Sequence, residues 1–440
     1  MRTDRTPDRH FVHRRLLSRS RSRLRRLVAP VAIATLAASV LAACGGGGGG
    51  SIAINFYNFP DGSGAVQKAV DTCTAAAKGK YVIKYSKLPN AADGQRQQLV
   101  RRLAARDPSM DILGLDVTWE AEFAEAGWIL PWTGANKAAA SAGTLKAPLD
   151  TATWKGQLYA VPYNSNTQLL WYRSDLVPTP PKTWAEMIKM ADDLAKAGKP
   201  HLIEIQGAQY EGVVVWFNSL LASAGGSVLT ADGSKASMGK SAVDALTVMK
   251  NLASSPAADP SLSVQMEDAN RLAMESGTAA FELNYPFVYP SMKTNKPALF
   301  KNFKWTQYPS VTAGQPSHVT IGGIDMAISK YSKHPDLAFA AALCLRNRDN
   351  QKVAAIEGGL PPTLAALYDD PSLQADYPFR KDILTALQNA SVRPKTPAYQ
   401  NLSIVISHAV SPPSKINPSG TAKKITDQLK DALQSKGLIP

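Results

Sequence analysis

The stretch SIAINFYNFPDGSGAVQKAVDTCTAAAKGKYVIKYSKLPNAADGQRQQLVRRLAARDPSMDILGLD (Ser51–Asp116) alternates between two hydrophobic periods. Ser51–Tyr57, Tyr81–Leu88 and Met110–Asp116 are β-rich runs. Between them, Ala65–Lys78 and Gly94–Arg106 place apolar residues at helical spacing. Repeated βα units of this kind argue for an open α/β sheet with helices on both faces. Asp116 closes the third strand, and the carboxyl ends of strands in such sheets face a ligand crevice. A helix cap is the structural alternative for the same residue.

Downstream, TPPKTWAEM (Thr179–Met187) opens a new helix, with prolines before it, Thr183 as cap and Glu186 at the capping-box position. WFNSLLASAGGSVL (Trp216–Leu229) reads as a buried helix ended by Gly225–Gly226. HPDLAFAAALCLRN (His334–Asn347) is another helix and carries Cys344.

Upstream, SVLAACGGGGGGS (Ser39–Ser51) sets a lone cysteine between small apolar residues and six glycines, which bury nothing and form a flexible tether. Residues 1–26 carry ten arginines, and Leu27–Ala43 is small and apolar apart from Pro30, as in a secretory signal peptide. LAAC (Leu41–Cys44) resembles a lipobox, which predicts cleavage after residue 43 and lipidation of Cys44; ordinary signal cleavage beside an unmodified cysteine is the alternative. The acyl chains would hold residues 44–51, and the chain behind them, at a membrane surface. Removing residues 1–43 takes ten of 49 basic and two of 35 acidic residues, so the net charge falls from +14 to 39 − 33 = +6. RSRSRLRR (Arg19–Arg26) is therefore a discarded leader, and no nucleic-acid partner is expected. The other cysteines, Cys73 and Cys344, read as a disulfide in an exported chain, with two separate buried thiols as the alternative.

Catalytic patterns are sparse. The six histidines are scattered without an i, i+4 pair, so neither a metal nor a cofactor is expected. GSKASMGKS (Gly233–Ser241) has five residues between its glycines where a phosphate loop has four, and reads as a surface turn leading into a helix. A glycosidase carboxylate pair stays open on composition alone. What recurs is aromatic residues beside planar polar ones, in Asn55–Gly62, Leu115–Trp128, Tyr163–Arg173, Glu211–Asn218 and Glu282–Tyr289. Sugars suit both partners through their C–H faces and hydroxyls. Taken singly, Trp119, Trp128 and Trp216 read better as core, and Trp171 fits either place.

WEAEFAEAGWILPW, PPKTWAEM, ASAGGSVL, ESGTAAFELNYP and IEGGLPP follow one another as in the solute-binding lipoproteins of bacterial sugar-importing ABC transporters, which the chain resembles over nearly its whole mature length. Within them it is most similar to the LpqY-like trehalose-binding branch, through NTQLLWYR, ELNYPFVY, EGGLPP and VRPKTPAYQNLS. The resemblance implies an α/β, two-lobed periplasmic-binding-protein-like fold of type II, with the ligand cleft between lobes joined by a hinge. Lobe one is expected over residues 52–163 and 318–358, and lobe two over 164–317 and 359–440. Matching cysteines in that branch support the Cys73–Cys344 bridge, which falls within lobe one.

Site residues carry over singly. Asp116 resembles the family's acceptor for sugar hydroxyls, and Asn166 its amide at the lobe crossover. Glu267 and Arg393 match the charged pair on lobe two; without the resemblance both read as solvated surface charge. Tyr285 stands where the trehalose binders have tryptophan, which keeps a stacking ring but shrinks it. Asn58, Glu211 and Gly358 enter on position alone. The resemblance thus implies a monomeric, non-enzymatic receptor, lipid-anchored to the outer face of the cytoplasmic membrane in the cell envelope. It would capture a disaccharide, trehalose first, and deliver it to a transmembrane permease driven by its ATPase. Another α-glucoside or oligosaccharide is the alternative ligand, and an exported glycoside hydrolase the alternative of another class.

Overall fold

A computed structural model describes residues 51–434. The expected signal peptide, Cys44 and the tether through Gly50 lie outside the described residues, as does the end of the expected lobe two after residue 434.

The opening alternation folds as strand β1 (Ile52–Asn58), helix α1 (Ala65–Ala76), strand β2 (Tyr81–Lys87), helix α2 (Ala92–Ala104) and strand β3 (Ile112–Asp116). On α1, Ala65, Val66, Ala69, Val70 and Cys73 form one buried stripe, and on α2 Gln95, Leu99 and Leu103 do so at intervals of four. The chain continues through β4 (Ala160–Asn166), β5 (Leu169–Arg173), α3 (Trp184–Lys196), β6 (Leu202–Glu204), α4 (Glu211–Ser223), α5 (Gly239–Ala253), α6 (Glu267–Ser276) and β7 (Ala279–Asn284). Then follow β8 (Phe303–Thr306), β9 (Gly322–Ile328), α7 (Pro335–Leu345), α8 (Arg348–Gly358), α9 (Tyr399–Val410) and α10 (Pro418–Leu433). At α3 the capping box is complete: Thr183 Oγ1 accepts from the Glu186 amide, and Glu186 accepts from the Thr183 amide.

Two sheets define two lobes. The first has strand order β2-β1-β3-β9-β4, the second β8-β5-β7-β6. β1 runs parallel to β2 and β3, but β9 is antiparallel to both β3 and β4. The sheet is therefore mixed rather than a simple βα repeat. The cause is connectivity: β1, β3 and β4 run up to the cleft, whereas β9 enters from the other lobe and starts there, with Gly322 opposite Asn166.

The crossovers also differ from the expected boundaries. Asn164–Asn166 remain in the first sheet, held to β9, so the chain leaves that lobe at Thr167–Gln168 and not after Tyr163. On the return path, Val319 and Ile321 pack in second-lobe clusters, and the Thr320 amide donates to Ser219 Oγ, so the first lobe resumes at Gly322 rather than at His318.

Each lobe has its own core. Phe56, Leu113, Leu115, Phe123, Trp132 and Ala342 belong to that of the first, where Cys73 of α1 and Cys344 of α7 are joined in a disulfide. In the second, β5 sends Leu170 and Tyr172 into a core with α3, α4, α5, α9 and α10, while Leu169 and Trp171 face the opposite layer. Trp171, Trp216 and Trp119 are all buried, and Trp171 stacks on Phe303 with ring centroids 5.4 Å apart. These rings are core, and the aromatic motifs that contain them serve packing first.

Candidate functional site

Strand ends place the first lobe's polar residues along one line. Asn58 ends β1, Asp116 ends β3 and Asn166 ends β4, all at the edge that faces the second lobe. Asn58 is fully buried against Gly114, where an added Cβ would lie 2.1 Å from Asn58 Oδ1. Neither polar atom of its amide has a partner, and the same holds for Asn166 Oδ1. Buried amides without partners are costly, and they mark places where another polar group belongs.

The second lobe answers with Arg393, which is 4% exposed. Its Nη1 donates to Glu211 Oε1 at 2.5 Å and its Nη2 to Asp116 Oδ1 at 3.2 Å, so a single guanidinium joins a carboxylate from each lobe. Solvated surface charge does not describe Arg393. Its ion pairs run to Asp116 and Glu211. Burial alone would lower the Arg393 guanidinium, but Asp116, Tyr399, Glu211 and Tyr285 hold it well above its ordinary value.

Glu211 opens α4 and is 7% exposed. Besides Arg393, its carboxylate accepts from the Tyr399 hydroxyl and from Ser403 Oγ. Burial pushes its carboxyl up, Arg393 opposes that, and Asp116 adds to it. Asp116 Oδ1 also accepts from the Thr118 amide at 3.0 Å and from Thr118 Oγ1 at 2.8 Å, closing a local turn; it caps no helix, since the next one, Glu120–Glu125, has Trp119 at its N-cap.

Tyr285 follows β7 directly, and its hydroxyl is raised first by burial and then by Glu267; Arg393, Asp116 and Glu211 also act on it. Glu267 opens α6, half-buried, beside the Tyr210 hydroxyl, and burial raises its carboxyl. Asp116, Glu211, Tyr285 and Arg393 therefore act on one another directly, with Glu267 next to Tyr285. Asn166 flanks them: a Cβ built on Gly322 would lie 3.5 Å from Asn166 Cβ and 4.0 Å from Arg393 Nη2.

Gly358 stands apart. It ends α8, where a Cβ would lie 3.0 Å from Ser63 Oγ; a Cβ on Gly359, at φ +64, would lie 2.5 Å from the Pro286 carbonyl oxygen. The two glycines let the chain pass between a first-lobe loop and the turn after Tyr285.

Tyr210, Tyr399 and Ser403 were not singled out from the sequence. Tyr399 and Ser403 lie four apart on α9, a spacing that puts two polar groups on one buried face. A cavity of about 360 Å³ adjoins this cluster on the seam, between α2 and α9, lined by Asp93, Arg96, Tyr210, Gln400, Ser403 and His408 among others. Among the described residues no cluster of three or more His, Cys, Asp or Glu is arranged to hold a metal ion, and no helix is long and apolar enough to cross a membrane.

Comparison with known proteins agrees with this architecture. A "Probable ABC transporter-binding protein" of Deinococcus radiodurans is 26% identical over 368 residues, covering 79% of this chain and 86% of its own. The structure described as maltose-bound T. maritima MalE3 superposes with TM-score 0.80 at 26% identity, over 86% of this chain and 99% of that one. The GacH receptor of Streptomyces glaucescens, solved unliganded and with acarbose, shares the fold with TM-score 0.76 at 22% identity, over 88% and 100% of the two chains. Residues 60–352 match the family described as "Bacterial extracellular solute-binding protein", and the chain belongs to that family.

Proposed function

We propose that this protein captures a disaccharide between its lobes, trehalose first, and delivers it to the membrane permease of an ABC importer. The observation that carries this reading is Arg393, buried between Asp116 of one lobe and Glu211 of the other. Asn166 and Tyr285 lie beside it, Glu267 lies next to Tyr285, and Asn58 ends a neighbouring strand of the first sheet. A sugar entering between the lobes would accept hydrogen bonds from the guanidinium and donate hydrogen bonds from its own hydroxyls to Asp116. Asn58 and Asn166 offer both a donor and an acceptor to one hydroxyl. Tyr285 supplies a ring face for the sugar's C–H groups. Hinge closure then removes water from these charge-assisted bonds, which strengthens them. Glu211 has both carboxylate oxygens engaged by Arg393, Tyr399 and Ser403, so neither is free as a nucleophile or base. This favours a receptor over a glycoside hydrolase.

A second reading, an α-1,4-linked glucoside such as maltose, is supported by the maltose-bound relative. A thermal-shift screen of mono- and disaccharides separates the two. A ligand at one hundred times its Kd adds about 2.7 kcal/mol to the folded state, enough for a clear rise in Tm. No rise with any sugar would end both readings, and glucose release from an α-glucoside would revive the hydrolase. The anchor is tested by Cys44→Ser, which should move the protein from the membrane to the soluble fraction. Retention of fully cleaved Cys44→Ser protein in the membrane would remove the lipid from the account.

A further inference from the structure

The segment that carries Arg393 also carries a second cation, Lys395, whose partners are backbone carbonyls of the first lobe. Ser391 is stitched to the returning crossover: its amide donates to the Val319 carbonyl at 2.9 Å, and its carbonyl accepts from the Ile321 amide at 2.9 Å. Asn218 Nδ2 donates to Ser391 Oγ at 3.1 Å, tying the segment to α4. Beyond this anchor the chain runs across the seam. Lys395 Nζ donates to the Asp150 carbonyl at 2.7 Å and to the Thr153 carbonyl at 2.6 Å. Those acceptors lie at and just after the C-terminal end of the first-lobe helix Lys146–Thr151, where unpaired carbonyls and the helix dipole favour a cation.

Burial lowers the Lys395 ammonium; Asp150, Glu120 and Asp325 oppose that, and the like charge of Lys146 adds to it. Glu120 and Asp325 are both buried, and Glu120 Oε1, Glu120 Oε2 and Asp325 Oδ1 lack hydrogen-bond partners. The first lobe thus presents two carbonyl acceptors where the second lobe presents Lys395.

We propose that Lys395 is a positioning residue that latches the closed lobes and so slows release of the bound sugar, without touching it. The inference rests on the sugar-receptor reading for its ligand. Opening the lobes about a hinge at Val319–Ile321 swings the segment away from the Lys146–Thr151 helix and breaks both lysine bonds. The bonds therefore belong to the closed form and resist opening, which is a dissociation step. Arg393 differs in kind, because its partners are the carboxylates of Asp116 and Glu211.

The test compares wild type, Lys395→Met and Lys395→Arg, using trehalose and maltose as probes, with stopped-flow fluorescence for rates and calorimetry for affinity. Lys395→Met should release sugar about fivefold faster with an unchanged association rate, the size expected for an ammonium at a partly exposed contact. Its unliganded Tm should match wild type, and Lys395→Arg should keep the wild-type release rate. Wild-type release from Lys395→Met would overturn the latch, as would a change confined to association or an arginine variant as fast as the methionine one. If wild type binds neither sugar, the sugar reading fails separately. The latch is then read by small-angle scattering of the unliganded proteins: a larger radius of gyration for Lys395→Met supports it, and identical profiles overturn it.

Discussion

Among the buried carboxyl groups of this molecule, two sets stand under opposite arrangements. At the seam between the lobes, Asp116 and Glu211 share the guanidinium of Arg393. Inside the second sheet, Glu204 and Glu282 stand opposite each other on neighbouring strands and meet amide side chains instead of a cation. Asn284 Nδ2 donates to Glu282 Oε1 at 2.7 Å, while Gln265 and Asn270 lie by Glu204. Burial pushes both up to about 8, with the charges of Asp259 and Glu282 adding to the effect at Glu204. A buried carboxyl either keeps its charge beside a cation or keeps its proton. The seam takes the first course, which suits a boundary that must bind hydroxyls and reopen. The sheet interior takes the second and stays closed.

The comparison breaks first at Arg393. Arg393→Ala leaves two carboxylates facing each other with nothing between them, and breaking a buried ion pair of this kind costs roughly 3–5 kcal/mol. Denaturant unfolding at pH 8 should show most of that loss. At pH 5 the loss should shrink, since Glu211 can take up a proton. Equal stability of wild type and variant at both values would mean that the seam does not depend on its cation.

Next in size is the covalent tie of the first lobe, remote from both carboxyl sets. Replacing Cys73 and Cys344 together by serine should cost roughly 2–5 kcal/mol. Because the bridge joins α1 to α7 and touches neither strand ends nor seam, sugar affinity should stay the same. Weakened binding in a variant that still melts cooperatively would show that the site leans on this tie.

The interior half of the comparison is sharpened by pH. Glu204 and Glu282 have folded pKa values raised above those of the unfolded chain. Between about pH 4.5 and pH 8 the native state therefore holds protons that the unfolded chain has released. Stability should fall as pH rises through that window, by up to about 1.4 kcal/mol per pH unit for each group that holds its proton. Glu204→Gln and Glu282→Gln should flatten the slope in unfolding titrations. Slopes that match wild type would mean the two carboxyls are ionised in the fold.

How much of this was legible in the sequence follows from range. Ser51–Asp116 showed its strands and helices because their periods are local, and Thr183 with Glu186 showed a helix start within four residues. The antiparallel entry of β9 was hidden, because it depends on the chain crossing to the other lobe and back. The same crossing carried Asn164–Asn166 into the first sheet, beyond the expected break. For the site, Asp116 was readable as a strand end, whereas Arg393 and Glu267 looked like surface charge until the resemblance singled them out. Tyr399 and Ser403 sit on an ordinary apolar helix, and nothing local marks them as partners of Glu211. Trp171, open to either reading, proved to be core, because Phe303 and Phe379 arrive from distant segments to enclose it.

The central claim is that the Asp116–Arg393–Glu211 bridge belongs to a sugar site closed between two lobes. Calorimetric titration of trehalose, and of maltose beside it, into wild type and Arg393→Ala tests it directly, with melting curves to show that the variant folds. Wild type should bind at least one of the two sugars. Arg393→Ala should bind that sugar one to two decades more weakly, the roughly 1–3 kcal/mol lost when a buried hydrogen-bonding partner is removed. Binding by wild type with undiminished affinity in Arg393→Ala would contradict the account and move the sugar to another part of the molecule.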